Sequence, residues 1–126
     1  MIKTNELRIG NFVSINNGFE MLVHSIFQND TVYLDFIPPL INEADVWEED
    51  YKDLIAIPLT EEWLLKFGAI KYDFDNKASQ YRIDNMLFII RENVFFDYGT
   101  GVKLQYVHQL QNLYFALTGN ELNIKQ

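Results

Sequence analysis

The side chains that could perform chemistry in this chain are carboxylates and two histidines, because the sequence contains no cysteine. Asp35, Asp73 and Asp97 lie on predicted strands, as does His24. A hydrolase would need such carboxylates held in a cleft with split pKa values, next to a base. Nothing in their spacing indicates that arrangement. We therefore predict no catalytic residues, and a carboxylate-dependent hydrolase is the last of three functional hypotheses.

A metal site needs roughly three or four converging ligands, and His24 and His108 are the chain's two histidines. The segment that begins at Asp73 resembles the start of a calcium-binding loop. The resemblance fails at Lys77, where a ligand is required, and at Ala78, where the sharp turn requires glycine. The sequence therefore predicts neither a metal nor a cofactor.

One segment has a composition unlike the rest, because residues 42–53 (NEADVWEEDYKD) hold six acids and one lysine. Aromatic residues set among acids can dock on a basic groove, with the rings as the main contacts. We predict a protein-binding surface here, and a basic partner fits its charge. The alternative is a solvated connection or short helix whose tryptophan packs on a sheet. The predicted surface consists of Trp47, Glu48, Glu49, Asp50 and Tyr51.

Composition restricts the remaining functional classes. The net charge of −8 disfavours non-specific binding to a phosphate backbone, although it leaves room for a local basic patch. A small N-terminal β-barrel carrying Lys3 and Arg8 could bind nucleic acid through such a patch. The 48% of hydrophobic residues is typical of a globular protein. No apolar run approaches membrane-spanning length and no export signal is evident, so we expect a cytoplasmic protein without membrane contact.

The elements that would position these residues follow from hydrophobic periodicity. Alternating apolar residues from Phe12 to Phe36, with an Asn-Gly turn at Asn17-Gly18, predict a three-stranded meander. Thr60 is a suitable N-cap for a short helix that ends near Gly68. A second antiparallel meander is predicted over residues 69–106, with residues 86–90 as its central strand. The chain then predicts a helix that starts at residue 107 and ends at residue 119.

These elements predict an α+β protein. An N-terminal SH3-like or barrel-like β-meander is followed by a short helix and an antiparallel β-meander that the C-terminal helix covers. Residues 1–126 form a single domain in this prediction. It contains two lobes, residues 1–40 and 55–126, which the acidic connection of residues 41–54 joins.

Three segments resemble a family of small uncharacterised proteins from Bacteroidetes and their phages and prophages. They are ELRIGNFV (residues 6–13), IPLTEEWLLKFG (57–68) and YVHQLQNLYFALTGNEL (106–122), about a third of the chain. The resemblance implies a phage or prophage origin. It carries over no activity, cofactor or site residue.

The leading functional prediction is a non-enzymatic, phage-related accessory protein that acts through protein–protein contacts. The alternative is a small-barrel protein that binds nucleic acid. The sequence also leaves open self-association into a homodimer through exposed strand edges.

Overall fold

The computed structural model describes residues 2, 5–15, 18–37, 47–74 and 78–125, without the side chains of residues 73, 74 and 78. The elements within these ranges are β1 (Phe12–Ser14), β2 (Glu20–Ile26), β3 (Thr31–Phe36), β4 (Trp47–Asp50), α1 (Glu61–Lys66), β5 (Ile70–Phe74), β6 (Ala78–Ile83), β7 (Met86–Arg91), β8 (Val94–Asp97), β9 (Lys103–Leu104) and α2 (Val107–Thr118).

The strands form two antiparallel sheets, in the order β1-β2-β3-β4 and β5-β6-β7-β8-β9. Sequential strands are neighbours throughout, so each sheet is a meander. The α+β class and the late helix after the strands are confirmed. The prediction that residues 86–90 form a central strand is also confirmed, because β7 lies in the middle of the second sheet.

The prediction for the acidic segment is wrong over Trp47–Asp50, which is neither a solvated connection nor a helix. It is strand β4, paired antiparallel with β3 so that Trp47 lies opposite Leu34 and Asp50 opposite Thr31. Acidic residues have low strand propensity, but pairing with a neighbouring strand outweighs propensity at a sheet edge. A single 3₁₀ turn at Tyr51–Asp53 follows. Residues 41–46 of the predicted connection lie outside the described residues.

The chain divides into two compact units that differ from the predicted lobes. The first unit combines Met1–Ile57 with Val107–Glu121, and the second combines Pro58–Tyr106 with Leu122–Gln126. The acidic strand β4 and the helix α2 both belong to the first unit. The predicted lobes had placed α2 with the second sheet.

The first unit has its own hydrophobic core. One face of its sheet contributes fully buried side chains such as Val13, Val32 and Leu34. The full buried cluster is Ile2, Leu7, Val13, Ile15, Met21, Val23, Val32, Leu34 and Leu54. A bulge at His24 shifts the β2–β3 register between Val23 and Ser25.

Within the first unit, polar side chains of α2 form hydrogen bonds with the backbone of residues 6–12. The Gln111 amide accepts from the Phe12 N–H at 2.8 Å and donates to the Gly10 carbonyl at 2.8 Å. It thereby satisfies the backbone N–H of Phe12 in β1 and the carbonyl of Gly10 just before the strand, while Ser14 of β1 pairs with Ile55. Asn112 donates to the Glu6 carbonyl at 2.5 Å. Gln111 is 1% exposed, so the polar side of this helix is a buried contact surface.

The second sheet has one buried face, which the register defines. Phe88 of β7 is fully buried and lies opposite Tyr81 of β6 and Asp97 of β8. The buried side chains of this unit are Leu59, Trp63, Leu64, Phe67, Ala69, Tyr81, Ile83, Met86, Phe88, Phe95, Asp97, Leu104 and Leu122. The other face of the sheet remains partly exposed.

The short helix α1 begins as predicted. The Thr60 side chain accepts a hydrogen bond from the Trp63 backbone N–H at 3.3 Å. Glu61 and Glu62 lie in its first turn and Lys66 in its last, which suits the helix dipole at both ends. In the part of the chain that the structure covers, neither helix has the length and apolar character needed to cross a membrane.

Candidate functional site

The acidic strand β4 is the outermost strand of the first sheet among the described residues. The backbone N–H of Tyr51 donates to the Asp30 carbonyl at 2.8 Å, so this position faces the neighbouring strand. Because orientation alternates along an antiparallel strand, Glu48 and Asp50 direct their backbone groups away from β3. This edge presents hydrogen-bonding groups that an additional strand could use.

The five predicted binding residues fall into three environments. Trp47 and Glu49 lie opposite Leu34 and Val32 and therefore point to the core side of the sheet. The Trp47 indole donates to Glu49 Oε2 at 2.9 Å, yet Trp47 is still 44% exposed. Trp47 is thus at the margin of the core with much of its ring available for contact.

Glu48 and Asp50 lie on the opposite face of the strand, beside Tyr33 and Thr31. Both carboxylates are on exposed residues. Two residues apart on one strand, they project to the same side with a spacing of about 7 Å. The structure therefore brings two of the predicted acids together on the outer face of the first sheet.

Tyr51 is held against the core of the first unit. Its hydroxyl donates to the Ile2 carbonyl, and its ring packs at the edge of the buried cluster of the first unit. Burial, and then the negative charges of Glu6 and Asp30, raise the pKa of the Tyr51 phenol above its usual value. The Tyr51 ring is therefore a link between β4 and the N-terminal segment rather than a projecting contact.

Substituting Tyr51 by phenylalanine tests this environment. We expect a loss of about 1 kcal/mol at neutral pH from the missing hydrogen bond. A raised folded-state pKa means that the unfolded chain loses the phenolic proton first, so stability falls as pH rises above about 10. The Tyr51→Phe variant should show a shallower fall in urea denaturation measured between neutral and alkaline pH. An unchanged alkaline slope would contradict this assignment, and Tyr98→Phe, at a 66% exposed position, is the matched control.

An aromatic pair beside Glu48 completes this surface, and the sequence analysis did not include it. The rings of Phe27 and Tyr33 meet edge to face, with centroids 4.8 Å apart. They border an open depression of about 480 Å³ whose lining is Phe27, Gln28, Asn29, Thr31, Tyr33 and Glu48. The sequence could have identified Tyr33, because the alternation in residues 31–36 places its side chain on the face away from the inward-facing Val32 and Leu34.

Formal charge is unequally divided between the two units. The first unit carries three basic and eleven acidic residues, a net −8, and the second carries seven of each, a net charge of zero. The entire net charge of the protein therefore belongs to the unit that contains β4. An acidic surface of this kind attracts basic groups and accelerates their association at low ionic strength.

The residues considered for hydrolysis have other surroundings. His24 lies at the β2 bulge, where its Nδ1 is 2.6 Å from the Ser25 hydroxyl. Asp35 is on the adjacent strand, whereas Asp97 belongs to the second unit. The Asp97 carboxylate accepts hydrogen bonds from the backbone N–H and the hydroxyl of Thr100, at 3.0 and 2.6 Å, which holds the turn after β8. No group of three or more potential ligands for a metal ion converges within the described residues.

Arg8, predicted to contribute to a nucleic-acid surface, is held within the first unit. Its guanidinium donates to Asn112 Oδ1 at 2.9 Å, pairs with Glu121, and lies 4.2 Å from the centroid of the Phe115 ring. Lys3 is outside the described residues. Arg8 therefore gives no support to a nucleic-acid-binding surface at the N-terminal end of the chain.

Comparison with protein-family models, curated proteins and solved structures finds no match to this chain. Function must therefore be argued from the surfaces of the protein.

Proposed function

We propose that this protein is a non-enzymatic accessory module that binds a basic, extended segment of a partner protein along β4. The observation that carries the proposal is the strand edge that is outermost among the described residues, with Glu48 and Asp50 on one face, beside the Phe27–Tyr33 pair. An extended peptide would add to this edge through its backbone, as in other examples of strand addition.

The alternation of the strand determines which partner sequence fits. An added strand also places every second side chain on one face, so basic residues at alternate positions would lie beside Glu48 and Asp50. An arginine there could stack on the Tyr33 or Phe27 ring while pairing with a carboxylate. On the opposite face, exposed Trp47 provides an apolar contact for the intervening residues.

The proposed cellular location and origin of the protein rest on the sequence and its family resemblance alone. We place the protein in the cytoplasm of a bacterial host, as a phage- or prophage-derived factor. The four-stranded meander with its β2 bulge supports describing the first unit as SH3-like. Binding through an exposed edge is a mode of action that requires no catalytic group.

The test compares two synthetic peptides of identical composition, one with lysine at alternate positions and one with its lysines in a block. Fluorescence anisotropy should show tighter binding of the alternating peptide, weakening as salt rises. Exposed ion pairs contribute about 0.2–1 kcal/mol each, so Glu48→Gln should weaken binding roughly 1.4- to fivefold. The double reversal Glu48→Lys/Asp50→Lys should weaken it by about tenfold or more.

The matched control is Glu20→Lys/Glu92→Lys, which changes the net charge equally at exposed positions outside β4. It should retain most of the affinity for the alternating peptide. Equal losses in both double variants would show a general charge effect and would refute the edge site. Equal binding of the two peptides would also refute it, since the spacing of Glu48 and Asp50 could not then determine recognition.

A further inference from the structure

The outer face of the second sheet carries exposed aromatic, aliphatic and basic side chains. The register places Ile89 opposite Phe96, and Phe96 opposite Lys103, on the face that is not buried. Tyr98 is 66% exposed and Tyr72 is 41% exposed. The register also places Arg82 opposite Leu87 and Arg91 opposite Val94 on this face. Tyr98 follows β8 and lines a depression together with Ile89, Arg91 and Phe96.

All the charged side chains that the register assigns to this face, within the described residues, are basic. They are Arg82, Arg91 and Lys103, all exposed. The unit as a whole has equal numbers of basic and acidic residues, and in the part of the chain that the structure describes the register assigns none of its acids to this face. The local charge of this face is therefore positive although the protein as a whole is acidic.

A depression of about 310 Å³ lies where the basic and aromatic groups adjoin. It is lined by Ile89, Arg91, Phe96, Asp97, Tyr98 and Gly101. The Asp97 carboxylate is bonded to Thr100 and is 3% exposed, so this acid contributes little to the surface. Arg91 and the two rings are the groups that a ligand would meet.

From this arrangement we infer that the outer face of the second sheet binds single-stranded nucleic acid. Unpaired bases stack on Phe96 and Tyr98, and Arg82, Arg91 and Lys103 contact phosphates around them. Open sheets that display aromatic side chains suit unpaired bases, because a duplex keeps its base faces stacked and inaccessible. The row from Tyr72 to Lys103 crosses five strands, about 19 Å at ordinary strand spacing, which is wide enough for several nucleotides.

The net charge of −8 does not prevent this interaction. The excess acids all belong to the first unit, and charges in water are screened over about 8 Å at physiological ionic strength. A phosphate bound on the outer face is in contact with the arginines and the lysine, and attraction at contact distance is screened least. No residue of this face belongs to β4, so the variants that test it differ from those that test the proposed peptide site.

The probes are fluorescein-labelled oligothymidylate, the same strand in a duplex, and oligouridylate. Anisotropy at low salt should show binding of both single strands and weaker binding of the duplex. Tyr98→Ala should reduce the affinity roughly tenfold, in the range for loss of one stacked base. Arg91→Ala should weaken binding and lower the salt-dependence slope by about 0.7, the value for one phosphate contact.

Two controls remove similar groups from the first unit. Phe19→Ala removes a ring that is 59% exposed, and Lys52→Ala removes one exposed positive charge. Both should bind like the unmodified protein. Absence of binding to either single strand at low salt, or equal losses in these controls, would overturn the inference.

The other molecule that could bind this face is a second copy of the chain, through its acidic β4. Sedimentation analysis tests for such a dimer. If the unmodified protein dimerises, and Arg91→Ala and Tyr98→Ala abolish the dimer without any oligonucleotide binding, then the face is a self-association surface and the inference is wrong. A monomer that binds single strands at this face supports it.

Discussion

Replacing Phe88 by alanine is expected to lower the free energy of unfolding by about 3–5 kcal/mol. Phe88 is fully buried on β7, the central strand of the second sheet. The substitution removes a ring from close-packed surroundings and leaves a cavity that neighbouring strands, fixed by their hydrogen bonds, cannot fill. Small proteins have total stabilities of about 5–15 kcal/mol, so a large part of the fold's stability depends on this ring.

Urea denaturation followed by circular dichroism measures the loss. Phe96→Ala is the matched control, because Phe96 lies on the neighbouring strand but on the outer face. Its ring is only half-buried, and its removal should cost about 1 kcal/mol. Equal losses for the two variants would contradict the assignment of Phe88 to the buried face of the sheet and of Phe96 to the outer face. A folded Phe96→Ala protein would also provide a second variant for the nucleic-acid test.

Gln111→Leu is expected to cost about 3 kcal/mol. The substitution keeps the side-chain volume but leaves the Phe12 N–H and the Gly10 carbonyl without their amide partner. An unsatisfied buried polar group costs about 1–3 kcal/mol, and this substitution creates one at the buried Phe12 N–H and a partly buried one at the Gly10 carbonyl. Leucine cannot replace either bond, and the 1% exposure of Gln111 leaves little access for water.

Amide hydrogen exchange provides the specific measurement for this variant. The Phe12 N–H should exchange faster in Gln111→Leu than in the unmodified protein, by more than amides of the second unit. Gln28→Leu, at an exposed turn, should change stability by no more than about 0.5 kcal/mol. Unchanged protection of the Phe12 amide would contradict the role assigned to Gln111.

Local patterns in the sequence are sufficient for two hairpins of the second sheet. Asp84 and Asn85 separate two runs that are rich in apolar residues, as a two-residue turn would, and the register pairs Ile83 with Met86 directly across them. Glu92 and Asn93 both have positive φ angles, 52° and 65°, as a tight hairpin turn requires. Turn chemistry and alternation act over a few residues, which is why a single sequence reveals them.

Features that depend on distant residues were not predictable in this way. Strand β4 exists because β3 supplies a partner for residues with little intrinsic strand preference. Gln111 and Asn112 are polar residues within the predicted helix, and their partners lie in residues 6–12. Hydrophobic periodicity identifies polar positions but does not distinguish solvent from a buried polar contact.

The candidate site was predictable only in part. Composition identified the acids of β4, but it did not assign Glu48 and Asp50 to one face and Glu49 to the other. That assignment requires the register with β3. The same register adds Tyr33 to the surface, and the β2–β3 turn adds Phe27. Tyr51 was included for its ring, whereas its hydroxyl bond to Ile2 makes it structural.

The bond between Gln111 and Gly10 spans 101 residues, and this has a consequence for biosynthesis. Ribosomes add about 5–20 residues per second, so the Phe12 N–H and the Gly10 carbonyl lack their partner for roughly 5–20 s after they are made. During that interval β1 can already pair with β2 and with Ile55, but these two groups at its edge remain open to other nascent chains and to chaperones. Premature termination before α2 would leave them without a partner permanently, and such fragments should aggregate or be degraded.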